Sequence, residues 1–168
     1  GTWDVTAVTD FEELLSGLAN FDEDLTGWDT SSVTTMRGTF HEATFYNNSG
    51  KPLAFSTSMV TDVSQLFWRA SPFNQLLELD TRSVTIMENT FHRADDFNQP
   101  LSFDTSRVVA MAQMLHARAF NLWLEFDTSS VTRMDGMFYW AIAFNQPLDF
   151  DTGFVTRMNS QFKSAGAF

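Results

Sequence analysis

Apolar residues return along the chain in a fixed order, separated by polar runs of nearly constant length. Counting the aromatic or Leu that opens each unit as position zero, units begin at Trp3, Trp28, Phe55, Leu79, Phe103, Phe126 and Phe150, in steps of 25, 27, 24, 24, 23 and 24 residues. Position 5 is Val in every unit: Val8, Val33, Val60, Val84, Val108, Val131 and Val155. Position 8 reads Phe11, Met36, Val63, Met87, Met111, Met134 and Met158, and position 12 reads Leu15, Phe40, Phe67, Phe91, Leu115, Phe138 and Phe162. Seven registers agreeing in three columns establish tandem repetition, which governs every local reading that follows.

Each unit carries two kinds of periodicity. In its first half apolar residues fall at i, i+3, i+4 and i+7, as in Met134, Met137, Phe138 and Ala141. That spacing predicts one face of a short amphipathic helix. Thr34, Thr85, Thr132 and Thr156 stand where its N-cap belongs. In the second half Leu101 and Phe103, or Leu148 and Phe150, alternate with polar neighbours and predict a short half-buried strand. Asp-Thr-Ser then turns the chain, because Asx and hydroxyl side chains bond backbone groups a residue or two ahead.

One strand and one helix in about 24 residues predict an α/β fold. We expect a right-handed, leucine-rich-repeat-like solenoid with a parallel sheet on one face, residues 1–168 forming a single repeat domain. The phrase FDTSSVTRMDGMF at 126–138, with its partners at 28–40 and 79–91 and the following Phe-Asn-Gln-Pro-Leu, resembles the roughly 26-residue repeat of BspA-like leucine-rich-repeat surface proteins of bacteria. The resemblance spans nearly the whole chain. It implies an extracellular or cell-surface module for adhesion or protein binding, with no catalytic residues to carry over. The first unit departs from the pattern at Val5 and Leu18, and residues 47–54 hold an insertion.

Charge narrows the partners. A net charge of −11 argues against nucleic acid, whose binding rests on Lys and Arg neutralising phosphates. No apolar run is long enough to cross a bilayer, so membrane insertion is not expected. With no cysteine, disulfides and thiolate metal sites are excluded.

Several columns carry candidate chemistry. Asp80, Asp104, Asp127 and Asp151, with Asp4 and Asp29, form a carboxylate column broken at Ser56. Stacked about 5 Å apart, such carboxylates suit Ca²⁺, or equally cap their own turns. Asn47, Asn74, Asn98, Asn121 and Asn145 read as a buried ladder serving the backbone of adjacent coils. His41, His92 and His116 share position 13 with Trp68 and Tyr139. Helices packed 8–10 Å apart would separate these imidazoles too far to share a metal easily, so a half-exposed ridge is expected. Two Thr columns, at Thr30, Thr57, Thr81, Thr105, Thr128 and Thr152 and at the capping positions, suit either turn formation or an ice or mineral surface.

Outward strand positions are Ala54, Glu78, Ser102, Glu125 and Asp149, and Trp123 replaces the Pro of other units in the one that is a residue short. An exposed Trp beside Glu78, Glu125 and Asp149 makes the best candidate binding site. No nucleophile–base pair, phosphate loop or paired metal-binding motif stands out, and no enzyme is expected. The expected function is recognition of a protein or glycan through the repeated face, without a cofactor. The alternatives are ice or mineral binding through Thr and Ser, and Ca²⁺-dependent adhesion through Asp. Because the chain stops at Phe168 without a capping unit, it reads as a fragment of a longer chain, or as one whose C-terminal end self-associates.

Overall fold

The seven registers become seven coils stacked in parallel. Position 7 of each coil bridges position 7 of the next, from Asp10 through Thr35, Asp62, Ile86, Ala110 and Arg133 to Arg157. This is the arrangement of the computed structural model, which describes residues 3–166. Phe168, on which the expectation of an uncapped end rests, lies outside them.

The expected helices are absent, and the leucine-rich-repeat-like α/β reading is corrected accordingly. Among the described residues there is no α-helix; regular structure is one 3₁₀ turn, Asn48–Gly50, and two short parallel strands. These are β1, Leu53–Phe55, and β2, Leu77–Leu79, paired Leu53 to Leu77, Ala54 to Glu78 and Phe55 to Leu79.

What replaces the helix is a run of tight turns whose hydrogen bonds alternate in direction. In the second coil the N–H groups of Met36, Gly38, Phe40 and Glu42 donate across to the carbonyls of Asp62, Ser64, Leu66 and Trp68, at 3.0, 2.9, 2.9 and 2.7 Å. The intervening N–H groups of Thr39, His41 and Ala43 donate three residues back, to Met36, Gly38 and Phe40, at 3.2, 2.9 and 3.1 Å. Arg37 N–H, left between them, donates to Thr35 Oγ1 at 3.3 Å, so every backbone donor from Met36 to Ala43 is satisfied, as a buried chain requires. Each coil makes four such rungs to its successor except the fifth, which makes three, from Met111, Gln113 and Leu115.

The geometry needs left-handed backbone at regular points. Position 10 has positive φ throughout: Glu13, Gly38, Gln65, Asn89, Gln113, Gly136 and Ser160; position 14 follows at Gly17, Glu42, Arg69, Arg93, Trp140 and Ser164. Each is the third residue of a four-residue turn, where a type II turn requires φ above zero. The sequence favours this over helix for two reasons. A helix of about ten residues is marginal alone, and Gly38, Gly136, Asn89, Thr39, Thr90 and the aromatics are poor helix formers. A helix would also turn its N–H groups inward, leaving none to reach the next coil.

Close stacking is what the aromatic side chains reward. Phe40, Phe67 and Phe91 stack at centroid spacings of 5.2 and 5.7 Å, near the interval between β-strands rather than between helices. A second column, Tyr46, Phe73, Phe97, Phe120 and Phe144, runs beside it at 5.9–6.2 Å. The two lock together through pairs such as Phe67–Phe73 at 4.0 Å and Phe91–Phe97 at 4.2 Å. All the full-column rings are buried, and offset-stacked pairs add about 0.5–1.5 kcal/mol each beyond burial.

Polar ladders hold the rim. The Oδ1 atoms of Asn47, Asn74, Asn98 and Asn121 accept the backbone N–H of the next Asn in the column at 2.8–3.0 Å. These amides serve the neighbouring backbone as expected, but they are half-buried or exposed rather than buried. In the 47–54 insertion Asn48 is buried instead, accepting from Leu25 N–H and Tyr46 Oη.

Candidate functional site

The strand half of each coil alternates buried and exposed residues, so one face carries the side chains between the apolar positions. Ala54, Glu78, Ser102, Glu125 and Asp149 are all exposed, each flanked by buried or half-buried Leu or Phe. Beside this stripe lies the Asp column, half-buried at Asp80 and exposed at Asp104, Asp127 and Asp151. Together they make the face acidic.

The carboxylates of the column are held by their own turns. Asp104 Oδ1 accepts the backbone N–H of Ser106 at 3.0 Å and its hydroxyl at 2.7 Å; Asp127 accepts the Ser129 N–H at 2.9 Å, and Asp151 the Gly153 N–H at 2.8 Å. Hydrogen bonds from the serine, side chain first, hold Asp104 and Asp127 below the ordinary carboxylate pKa; at Asp80 the Arg82 guanidinium does the same. Among the described residues no cluster of three His or acidic side chains is arranged to hold a metal ion.

Trp123 projects from this face, 54% exposed. It lines a depression of about 410 Å³ with Glu125, Pro100, Ser102 and Asp104. A second depression of about 600 Å³, bordered by Leu76, Glu78, Asp80 and Arg82, shares Ser102 and Asp104 with the first. The two form one groove across three coils, with Trp123 at one end and the exposed Leu76 near the other. Of the residues singled out from sequence, Glu78, Trp123 and Glu125 come together here. Asp149 stays on the same stripe but does not border the groove. The missing residue of that unit lies elsewhere: Ala117 to Phe126 spans nine residues, as do Ala94 to Phe103 and Ala141 to Phe150. Trp123 therefore fills no gap in the chain.

The Thr columns divide by depth. Thr30, Thr57, Thr81, Thr105 and Thr128 are at most 3% exposed, and each hydroxyl donates to a carbonyl of the following coil at 2.9–3.1 Å. Thr34, Thr61, Thr132 and Thr156 are exposed and Thr85 half-buried; their hydroxyls donate to the preceding coil at 3.1–3.5 Å instead of capping a helix.

Position 13 forms a ridge of touching rings. His41–Trp68 centroids lie 4.2 Å apart, Trp68–His92 5.8 Å, His92–His116 4.3 Å and His116–Tyr139 5.3 Å, all edge to face. Packed helices would hold these imidazoles too far apart; with coils in place of helices His92 and His116 are in contact, and Trp68 separates His41 from them. Burial, reinforced at His92 by the His116 ring and at both by Arg93, pushes the two imidazoles down to about 4. They are therefore neutral at pH 7.

The chain matches the repeat family described as Mycoplasma protein of unknown function, DUF285, over residues 1–100, 48–125 and 119–168. No curated protein and no solved structure gives a significant match.

Proposed function

The chain belongs to the DUF285 repeat family, and on that premise we propose that it is a non-enzymatic recognition module of the cell surface, binding a basic segment of a partner protein in its acidic groove. The observation that carries this reading is the exposed Trp123 set among Ser102, Asp104 and Glu125, continuous with Glu78 and Asp80. An aromatic anchor ringed by complementary charge is the composition of a binding hot spot. The net charge of −11 would steer a cationic partner towards it. The likeness of the repeat phrase to BspA-like surface proteins supports the location.

Recognition is favoured over ice binding because the inner Thr column is buried and its hydroxyls are already hydrogen-bonded. It is favoured over calcium adhesion because the Asp carboxylates are engaged by their own turns. The test is fluorescence anisotropy of a labelled Lys- and Arg-rich peptide. Trp123→Ala should weaken binding by about tenfold or more, and Glu78→Gln with Glu125→Gln should flatten its salt dependence. A Trp123→Ala protein with an unchanged melt that binds as tightly as the parent, or a parent that does not bind, refutes the reading.

A further inference from the structure

The fifth coil is one residue short, and the structure shows where. His116 is followed directly by the buried Ala117, so the fifth coil lacks position 14, the left-handed residue that Arg93 supplies in the coil before and Trp140 in the coil after. The loss removes one backbone rung and leaves an opening between those two exposed side chains. The resulting notch has a volume of about 400 Å³. Its floor is His92 and His116, its sides are Arg93, Arg118 and Asp95, and its wall is Tyr139 with Trp140.

The lining is chemically unfinished. The Nδ1 atoms of His92 and His116 are buried and have no hydrogen-bond partner among the described residues, and His116 is only 9% exposed. Buried polar atoms are nearly always paired, so two orphaned nitrogens just beneath the cavity floor set this spot apart, although a water-sized group in the notch reaches neither. Arg93 and Arg118 form no ion pair among the described residues, although Arg37, Arg69, Arg82, Arg133 and Arg157 all do. Arg107 forms none either, but Arg93 and Arg118 border one cavity and share it with the half-buried Asp95. Trp140 is 43% exposed and presents an aromatic face. A shallow shelf of about 510 Å³, bordered by Ser71, Asp96 and Ile142, shares Asp95 and Arg118 with the notch and extends it.

We infer that the notch binds a carboxylated pyranose of the hexuronic acid type, as one residue of a glycan. Its carboxylate pairs with Arg93 and Arg118, which as planar forks suit that group. Its ring hydroxyls meet the Asp95 carboxyl, with the His92 and His116 rings beneath them as the floor. Its apolar C–H face lies against Trp140. The shelf takes the next sugar. This site is separate in residues from the Trp123 groove and does not rest on the reading of that groove.

The test titrates the intact protein with glucuronate, with a glucuronate-containing disaccharide, with glucose and with acetate, following histidine and tryptophan side-chain signals by NMR. Glucuronate should shift His92, His116 and Trp140 with a Kd on the order of 1 mM, the range expected for so small a ligand. The disaccharide should bind more tightly, and glucose and acetate each about tenfold or more weaker. Arg118→Gln should weaken glucuronate about tenfold. Inserting Gly between His116 and Ala117 restores the missing position and should abolish binding, while Trp123→Ala should leave it unchanged. Acetate binding as tightly as glucuronate overturns the proposal by reducing the notch to a bare anion site. Undisturbed signals, or full affinity in either Arg118→Gln or the insertion, overturn it as well.

Discussion

At the scale of single residues, left-handed backbone and buried imidazoles set the sharpest constraints. Gly38 has φ +60°, and a Cβ there would meet Glu13 Cγ at 3.1 Å. Gly38→Ala should therefore destabilise by about 1–2 kcal/mol, lowering the thermal midpoint by roughly 2–8 °C. Gln65 holds the same conformation with a side chain, at φ 57°. Gln65→Gly should be neutral or stabilise by up to about 1 kcal/mol, relief of strain being offset by a more flexible unfolded chain. Calorimetry of the two variants side by side checks both signs. His92 and His116 give a pH dependence. Their folded pKa of about 4 lies below the unfolded 6.5, so the unfolded chain binds more protons between those values. Stability should be complete above pH 6.5 and fall as pH drops towards 4. Asp95, raised by burial, acts in the opposite sense near the lower limit. Urea melts should show a shallower loss across that window in a His92→Gln, His116→Gln protein; an unchanged slope would remove the imidazoles as its cause.

At the scale of elements, the inward face was legible from the sequence and the hydrogen bonding was not. Met134, Met137, Phe138 and Ala141 are all fully buried, as the i, i+3, i+4, i+7 spacing requires. A four-residue turn repeated along a coil buries the same positions as a helix of 3.6 residues per turn, so the period alone does not separate them. The missed signal was composition: Gly, Asn and Gln recur at position 10, where a left-handed residue is needed. The strand half alternates in burial as expected, but among the described residues only Leu53–Phe55 and Leu77–Leu79 pair as strands, and the strands expected at 101–103 and 148–150 do not form. Glu78 and Glu125 are expected to face outward from the strand period of two and Trp123 from its place in the Pro column, and all three are exposed. The notch was overlooked although the 23-residue step announced it, since a short unit reveals its gap only once the rungs are known. Stacked rings make the core the strongest element. Phe67 sits between Phe40 and Phe91 and against Phe73. Phe67→Ala should cost about 3–5 kcal/mol in urea unfolding, and the far-UV circular dichroism of the parent should lack the 222 nm helical minimum.

At the scale of the whole molecule, charge is uneven and the stack is regular. Arg69–Glu42 at 2.6 Å links neighbouring coils and Arg133–Glu88 at 2.9 Å reaches across the fifth, but such surface pairs contribute little each. The acidic face keeps its carboxylates in Asx turns, so millimolar Ca²⁺ should leave the thermal midpoint unchanged. A rise would mean that the ion binds the native state and that the Asp column is a cation site after all. Because each coil touches mainly its neighbours, damage at one coil should spread by nearest-neighbour coupling. The fifth junction, with three rungs instead of four, is the natural place for the stack to open first. Hydrogen exchange at Met111, Gln113 and Leu115 should be faster than at the matching amides of other coils.

The rungs have one further property. All those of positions 8 to 14 run the same way, N–H towards the higher-numbered coil and C=O towards the lower. Aligned peptide groups add their dipoles, as they do along a helix axis. The N–H groups of position 6 point the other way, as Thr34 does to Thr9 and Thr132 to Val109, so the dipole along the stack is the surplus of the rungs over these. Its N–H edge draws anions towards the higher-numbered coils, and its carbonyl edge draws cations towards the lower.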